Sequence, residues 1–373
     1  MAVQLQKIIR LMESFAPLSL AESWDNPGLL VGNPDNNVRK VLITLDVTME
    51  CVDYAVRNDF NLIISHHPVI FNKLASLRTD QYDGKLFQKL LSHGIAVYSA
   101  HTNWDSAAGG VNDILAQQLG LTDIKGLVPV KQEGMYKLVV FVPESHGEAM
   151  CQALGEAGAG IIGRYSHCMF SAAGEGRFRP LSGAHPYIGS IGNTEHPAEI
   201  RIETTVPEHR LDLVISALKV AHPYEEPAYD IYPLARAEGC QYSLGRIGTL
   251  PTAEPARLVL RKIKRLLGIQ ILSYAGDEDT VVEKIALCGG AGAEFISKAK
   301  QAGAQLYLTG DVRYHDAQQA VKDGLVIADG GHYGTEILSM PVLMKRLSSA
   351  AAERGWTISW SMDPTSQDVF CHC

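Results

Sequence analysis

Apolar residues in the first third of the chain follow two spacings in turn. Leu5, Ile8, Ile9 and Met12 recur at helical intervals, and residues 40–47 form an apolar run with strand character. Two further short apolar strands, at residues 61–65 and 95–99, each follow a helical segment. Strands that lack polar alternation are buried on both faces, so this pattern predicts an α/β fold with a mixed, largely parallel sheet between helices.

The pattern changes between residues 128 and 237. Strands are predicted at residues 137–142, 165–172, 199–206 and 228–234, with helices at 148–155 and 208–221. The order strand–helix–strand–strand–helix–strand is that of the ferredoxin-like split unit. The earlier alternation then resumes, with strands at residues 281–288, 305–309 and 325–328. We therefore predict a discontinuous α/β domain, residues 1–127 and 238–373, into which a compact α+β domain, residues 128–237, is inserted.

Five side chains that can bind metal follow predicted strands, at three distant places. They are His66, His67, Asp105, His332 and Glu336. Ligands in open α/β sheets usually lie at the carboxyl ends of strands. Imidazole and carboxylate together suit zinc, iron, manganese or nickel better than calcium. Five ligands exceed the set that one tetrahedral ion takes, so the sequence predicts two divalent metal ions per chain.

Each of these motifs has a plainer interpretation when it is taken alone. A double histidine is about as often a coincidental surface pair. A loop aspartate such as Asp105 more often caps a helix or shapes a turn, and His101 is a rival ligand in the same stretch. His332 and Glu336 share one helical face, which fits a metal site or a solvent-facing pair. The two halves of the outer domain must close on each other if these residues are to meet.

Three weaker signals also follow strands or precede helices. Asp311 and His315 are candidates for an acid–base role or for a hydrogen bond to a ligand, although a turn and a helix cap explain them equally well. The backbone amides of residues 289–292 could bind an anion, but their glycine spacing is not a dinucleotide fingerprint. Residues 24–26 and 44–46 could line a pocket, with no spacing specific to one chemistry.

Composition narrows the class of partner. The chain has 373 residues, a formal net charge of −8 and scattered Lys and Arg residues, which argues against nucleic acid as a partner. No apolar run is long enough to span a bilayer, so no membrane partner is expected. The cysteines form no CxxC pair and the N-terminal helix carries charges, which favours a reduced cytoplasmic compartment.

Five strings, in order along essentially the whole chain, resemble the family of GTP cyclohydrolase 1 type 2 homologues, also called the NIF-three-like family. They are SWDNPGLLVG (23–32), ISHHP (64–68), HTNWD (101–105), LTGDVRYHDA (308–317) and GHYGTE (331–336). The inserted segment, with AHPYEEPAYDIYPL (221–234), resembles the PII- or CutA-like domain of the longer members.

This resemblance implies a dinuclear metal site in a toroidal homohexamer. The five ligands would be those named above, with Glu336 as the bridge. The implied activity is metal-dependent hydrolysis of a nucleotide-like substrate, such as GTP cyclohydrolysis, with Asp311 or His315 moving the proton. The alternative is a non-catalytic ring protein that regulates, binds a small molecule or handles metal.

Overall fold

The computed structural model describes residues 2–235 and 241–371. The chain divides into a discontinuous unit, Met1–Lys131 with Tyr242–Cys373, and an inserted unit, Gln132–Gln241. We describe each unit by itself.

The first part of the discontinuous unit alternates strands and helices, as the apolar pattern predicts. The buried side chains of its first helix include Leu5, Ile8, Ile9 and Met12, so the predicted helical period is confirmed. The elements are β1 (Val3–Gln4), α1 (Leu5–Phe15), β2 (Gly28–Val31), β3 (Asn37–Val38), β4 (Lys40–Thr44), α2 (Met49–Arg57), β5 (Leu62–Ser65), α3 (Tyr82–Ser92), β6 (Ala96–Ser99), α4 (Thr102–Ser106), α5 (Val111–Gln118) and β7 (Thr122–Gln132).

The inserted unit has the predicted order of elements. They are β8 (Met135–Pro143), α6 (Gly147–Glu156), β9 (Met169–Glu175), β10 (Ala198–Pro207), α7 (Leu211–Ala221) and β11 (Tyr229–Pro233). The strands lie in the order β11-β8-β10-β9, and every neighbouring pair is antiparallel. β9 begins at Met169 rather than at residue 165, because Tyr165 makes only an isolated bridge to Ile162.

The second part of the discontinuous unit resumes the alternation. Its elements are β12 (Gln241–Pro255), α8 (Ala256–Leu267), β13 (Ser273–Ala275), β14 (Val281–Ala291), α9 (Ile296–Gln301), β15 (Leu306–Gly310), α10 (Tyr314–Lys322), β16 (Val326–Asp329), α11 (His332–Ile337), α12 (Ser339–Glu353) and β17 (Ser359–Met362). The domain boundary predicted after residue 127 falls within β7, and the one predicted after residue 237 lies outside the described residues.

The sequence predicts one large sheet for the discontinuous unit, whereas its described residues form two, besides the two-stranded sheet of β1 and β3. One is ordered β17-β4-β5-β6-β2 and the other β13-β16-β15-β14-β12-β7. Each contains a run of parallel strands: β17, β4, β5 and β6 in the first, and β14, β15 and β16 in the second. The antiparallel strand β2 borders the first parallel run at β6, and the antiparallel strand β12 borders the second at β14. The two parallel runs are therefore not joined into one sheet. Both sheets are therefore mixed, as the α/β class requires.

The candidate ligands His66, His67 and Asp105 follow the carboxyl ends of two buried strands, β5 and β6. All four residues of β5 and all four of β6 are buried, as expected for parallel strands covered on both faces. Within the described residues, no helix has both the length and the apolar character needed to cross a membrane.

Arg246 joins the two parts of the discontinuous unit. It lies on β12, and its guanidinium donates to Asp113 of α5 at 2.9 Å and to the carbonyl of Ala107 at 3.3 Å. The same side chain donates to the carbonyl of Ser243, and it is only 7% exposed. One buried cation therefore holds acceptors that come from both parts of the unit.

We predict that Arg246→Ala lowers the free energy of unfolding by about 3 kcal/mol, because the buried acceptors lose their donor. Urea unfolding followed by tryptophan fluorescence measures this, since Trp24, Trp104, Trp356 and Trp360 all lie in the discontinuous unit. The control is Arg78→Ala, whose ion pair with Asp80 is exposed, and it should leave the midpoint unchanged. Equal midpoints for all three proteins would contradict the prediction.

Candidate metal centre

His66 and His67 directly follow β5, at the carboxyl end of the parallel strands. Their backbone amides donate to the carbonyls of Thr44 and Leu45, so strand-like pairing continues past the end of β5. The two rings lie 5.0 Å apart and are tilted by 49°. Two adjacent residues thus present imidazoles in different directions from one fixed turn.

Asp105 lies inside a helix and not in a loop. It belongs to the five-residue helix α4 after β6, and its carboxylate is buried. His101 occupies the position before that helix, so Asp105 is not the cap that the sequence left open. A single helical turn is too short to show a period in the sequence, which explains the wrong expectation.

His332 and Glu336 open α11 after β16, four residues apart on one helical face. His332 Nε2 lies 3.3 Å from Glu336 Oε1. The sequence predicts one helix from here to residue 347, whereas α11 ends at Ile337 and α12 begins at Ser339. The short helix α11 is therefore the element that aims both side chains.

The structure brings all five predicted ligands together around Glu336. Glu336 Oε1 lies 3.6 Å from His66 Nε2, and Glu336 Oε2 lies 3.0 Å from His67 Nε2. Asp105 Oδ1 is 3.6 Å from the same His66 nitrogen. Among the described residues, ligand atoms within 4.8 Å of one another form three groups. Two of them share Glu336, one with His66 and Asp105 and the other with His67 and His332, and the third consists of His66, His67 and His101.

The unpaired atoms of this cluster fit a metal. His66 Nε2, His67 Nε2, Asp105 Oδ1 and Glu336 Oε2 are buried and make no hydrogen bond of good geometry; their nearest polar neighbours are one another, as in the 3.0 Å ion-pair contact between His67 Nε2 and Glu336 Oε2. Buried polar atoms without partners are rare and costly, so four of them facing one another require an explanation. Ligand atoms around a tetrahedral zinc ion would be about 3.3 Å apart, close to the separations found here. The donor set and its spacing thus suggest a bound metal.

Each imidazole is held through its other nitrogen. Every Nδ1 is hydrogen-bonded to an oxygen at 2.7 or 2.8 Å, which leaves Nε2 directed at the cluster. The pairs are His66 with the Ala100 carbonyl, His67 with Asp46, His332 with Asp311 and His101 with Asp25.

Asp46 and Asp25 each fix a histidine at the cluster, a role that sequence reasoning missed. Both lie in strings noted only as possible pocket lining. Asp46 is 21 residues from its histidine and Asp25 is 76 residues from its own, so no local spacing could have revealed either pair.

Asp311 and His315 have different positions relative to the cluster. Asp311 accepts a hydrogen bond from His332 and has a φ of +54°, a backbone conformation that few residues other than glycine adopt. His315 is exposed near the start of α10, where its ring packs edge-on against Tyr314. The structure therefore gives Asp311 a positioning role, whereas an acid–base role for His315 stays a prediction.

The pKa values of the two carboxyl groups of the cluster are shifted in opposite directions. Burial opposes ionisation of Glu336, but His66, His332 and His67 outweigh it and hold its pKa well below the ordinary value. Burial and the neighbouring Glu336 charge raise the pKa of Asp105 well above its ordinary value. Glu336 is thus the permanent charge of the metal-free cluster.

His67 and His332 hold protons tightly in the metal-free protein. Burial would lower the pKa of His67, but Asp46 and Glu336 outweigh it and raise the pKa to about 10. The carboxylate of Glu336, helped by that of Asp311, raises the pKa of His332 to about 9. A metal ion must displace these protons before it binds.

Two clefts reach the cluster, and His67 and His332 line both. The smaller has a volume of about 430 Å³ and also contains Asp46 and Asp311. The larger has a volume of about 790 Å³ and also contains Trp24, Phe71, His101, Asp105 and Glu336. The cluster is therefore open to small molecules from solvent.

The glycine turn, residues 289–292 at the end of β14, does not form the anion site that the sequence allowed. The amides of Gly289, Gly290 and Gly292 donate to the side chains of Asn112, Thr335 and Thr309, respectively. Those donors are therefore occupied. The turn instead brings bare backbone against the cluster, because a Cβ on Gly290 would collide with Glu336 Oε1.

These features define a class of protein: an α/β protein with mixed sheets and a buried cluster of His, Asp and Glu residues that is suited to metal. The chain belongs to the DUF34/NIF3 (NGG1p interacting factor 3) family, whose family model matches residues 3–368. The resemblance seen in the sequence is thereby confirmed.

Relatives match along the full length. The GTP cyclohydrolase 1 type 2 homolog of Bacillus subtilis is 41% identical over 365 residues, which is 98% of this chain and 97% of the relative. A solved Bacillus cereus protein related to NIF3 has a TM-score of 0.90 at 41% identity and covers 100% of both chains. Staphylococcus aureus protein SA1388 has a TM-score of 0.73 at 29% identity, over 100% of this chain and 99% of its own.

We predict that Gly290→Ala removes most of the bound metal, because its methyl group displaces Glu336 Oε1 and approaches His332 Nε2. The matched control is Gly303→Ala, which has the same kind of positive φ (+85° against +62°) but has no atom within 4 Å of the added carbon. Both variants carry a backbone cost of roughly 1 kcal/mol. Metal content per chain distinguishes them, and equal metal content in the two variants would contradict the prediction.

We predict that the metal-free protein loses stability as the pH rises from about 7 to 10. The pKa values of His67 and His332 are raised in the folded state, to about 10 and about 9, above about 6.5 in the unfolded chain. Such groups stabilise fully below the unfolded value and cease to do so as the pH passes the folded value.

Unfolding midpoints of chelator-treated protein measured across this pH range test the prediction. The variant His67→Gln/His332→Gln is the control and should show a shallower fall. A wild-type midpoint that rises with pH would refute it.

Proposed function

We propose that the chain is a dinuclear metal-dependent hydrolase that acts on a nucleotide-like substrate. The observation that carries this proposal is the pair of three-ligand groups that share Glu336 and lie where two clefts reach the same side chains. His66 and Asp105 would hold one ion, His67 and His332 the other, and Glu336 both. Zinc, iron, manganese and nickel all suit this donor set.

Divalent ions bound there would supply Lewis acidity and activated water at neutral pH. The chain's own residues have separate tasks. Asp46 and Asp311 fix the rings of His67 and His332, so that the ligands are oriented before a substrate arrives. Such preorganisation lowers the cost of reaching the reactive geometry.

His101 is the residue best placed to hold or move a proton. Its ring lies 5.3 Å from that of His66 and 5.5 Å from that of His67, and Asp25 fixes its Nδ1. It belongs to neither of the two groups that share Glu336, and its group with His66 and His67 contains no carboxylate. An imidazole free at one nitrogen and oriented at the other is suited to general acid–base chemistry.

The substrate class rests on weaker support. Relatives about 40% identical carry the description GTP cyclohydrolase 1 type 2 homolog, so GTP is the first substrate to test. In that reaction water would attack the imidazole carbon of guanine.

Assembly and location are further parts of the proposal. Family membership supports a homohexameric ring with the sites facing its interior, and it supports a PII- or CutA-like inserted unit. The net charge of −8 fits a protein that binds neither nucleic acid nor membrane, and we propose a cytoplasmic location.

One observation favours the alternative of a regulatory or small-molecule-binding ring. The inserted unit contains its own cavity of about 250 Å³, lined in part by Phe178, Tyr187, Tyr224 and Glu199. The ring centroids of Phe178 and Tyr187 lie 5.6 and 6.3 Å from that of Tyr224. A sensor would bind its ligand there and would need no turnover at the metal cluster.

We predict that metal-loaded protein releases formate from GTP and that Asp105→Ala abolishes the release, because one ion loses its ligand. His101→Asn should keep its metal and lose roughly 100-fold or more in kcat, as expected for a missing acid–base group. Asp53→Ala is the matched control, since Asp53 pairs with Lys89 on the surface.

Formate release that persists in Asp105→Ala would contradict the proposed site. No release by metal-loaded wild type, on GTP or on a panel of phosphoesters, would sink the hydrolase and leave the binding alternative.

A further inference from the structure

One wall of the larger cleft is built from three rings. Trp24, Phe71 and His101 lie with their ring centroids 6.0 to 6.1 Å apart, in three mutual contacts. Trp24 is 59% exposed and Phe71 is 49% exposed, although large aromatic side chains are usually buried. We call these three residues the aromatic wall.

Polar contacts behind the aromatic wall hold it in place. Asp25, whose carboxylate is fully buried, accepts hydrogen bonds from His101 Nδ1 at 2.7 Å and from the amide of Thr102 at 3.1 Å. Asn26 donates from Nδ2 to the carbonyl of Ile70 at 2.6 Å, which ties the segment of Trp24 to the segment of Phe71. These bonds use Asp25, Asn26 and the His101 nitrogen that Asp25 holds, and none of them involves the five predicted ligands, so the wall forms without a bound metal.

The aromatic wall leads to the metal centre. His101 forms its inner end, with its ring 5.3 Å from His66 and 5.5 Å from His67. Trp24 and Phe71 form its outer end, with ring planes at 58° to each other. A flat molecule that lies on one of these rings would meet the edge of the other, and its inner end would reach the cluster.

The charges of the cleft do not suit a phosphate chain. Among the described residues that line it there is no lysine or arginine, and four are acidic: Glu22, Asp105, Glu294 and Glu336. Proteins usually hold phosphates with Arg, Lys or free backbone amides. The amides of the adjacent glycine turn are already used, as shown above. The protonated His67 and His332 rings of the metal-free cleft are already paired with carboxylates, His67 with Asp46 and Glu336 and His332 with Asp311 and Glu336. A flat ring therefore has a surface to stack on here, whereas a phosphate chain has no lysine, arginine or unpaired cation to bind among the described residues of this cleft.

We propose that the larger cleft binds a planar nitrogen heterocycle of about purine size, stacked on one of the rings Trp24 and Phe71 and in edge contact with the other, and that the side chains of the cleft do not recognise a phosphate chain. This rests on the proposed function only in taking the cleft to be the substrate site. Within the proposed hydrolase, Trp24, Asp25 and Asn26 build the surface that selects the ring.

Calorimetric titration of metal-free protein with guanosine and with GTP tests this. Removing the metal ensures that phosphates cannot gain affinity from the ions themselves. We expect guanosine to bind and GTP to bind no more tightly. Trp24→Ala and Phe71→Ala should each weaken guanosine binding about 10-fold, as expected for lost stacking. Trp24→Phe should restore most of the affinity.

Tyr314→Ala is the control, because Tyr314 is an exposed aromatic residue that lines neither cleft. Its loss should leave the affinity for guanosine unchanged. No guanosine binding by the wild type, GTP binding tenfold tighter than guanosine, or wild-type affinity in both alanine variants would each overturn the proposal. Guanosine binding without turnover by the loaded protein would refute the hydrolase and keep this inference. GTP turnover by the loaded protein, together with wild-type guanosine affinity in both alanine variants, would support the hydrolase and refute this inference.

Discussion

The buried carboxylate of Glu336, surrounded by three imidazoles, is the constraint on which the rest of the site depends. A buried carboxylate is stable only where opposite charge or donors surround it, and here those groups come from distant segments. His66 and His67 follow β5, whereas Glu336 and His332 belong to α11 near the other end of the chain. The two parts of the discontinuous unit must therefore close on each other before the charge is compensated, which links folding of this unit to formation of the site.

Three features of the fold serve that arrangement. Parallel strands deliver histidines at their carboxyl ends, short helices aim Asp105 and Glu336, and Gly290 leaves room for the carboxylate beside bare backbone. An outer set of oxygens then fixes each ring, so that every Nε2 faces inward. The two clefts give small molecules access, and the aromatic wall gives one cleft a preference for flat rings. The site thus combines a buried charged centre with an exposed aromatic surface beside it.

The candidate ligands, the order of elements in the inserted unit and the family could be predicted from the sequence, because each depends on residues that are close together in the chain. Pro68 after a double histidine indicates a turn at a strand end, and the four-residue spacing of His332 and Glu336 places both on one helical face. The order of elements in the inserted unit followed from its alternating pattern, and the ordered strings identified the family.

The rest depends on long-range pairing that no local pattern records. The hydrogen bonds from His67 to Asp46 and from His101 to Asp25 join segments whose spacing carries no signal. Asp105 lies in a helix of one turn, too short to show a period. The occupied amides of the glycine turn and the division into two sheets depend on which partners fill each edge, which only the folded chain decides.

Glu336 would hold both metal ions of the proposed site. Anomalous diffraction from crystals of metal-loaded protein, collected at the absorption edge of the bound metal, tests it most directly. We expect two peaks about 3.5–4 Å apart, on either side of the Glu336 carboxylate. One of them would lie beside His66 and Asp105, and the other beside His67 and His332. A single peak, or a pair of peaks that Glu336 does not separate, would contradict it.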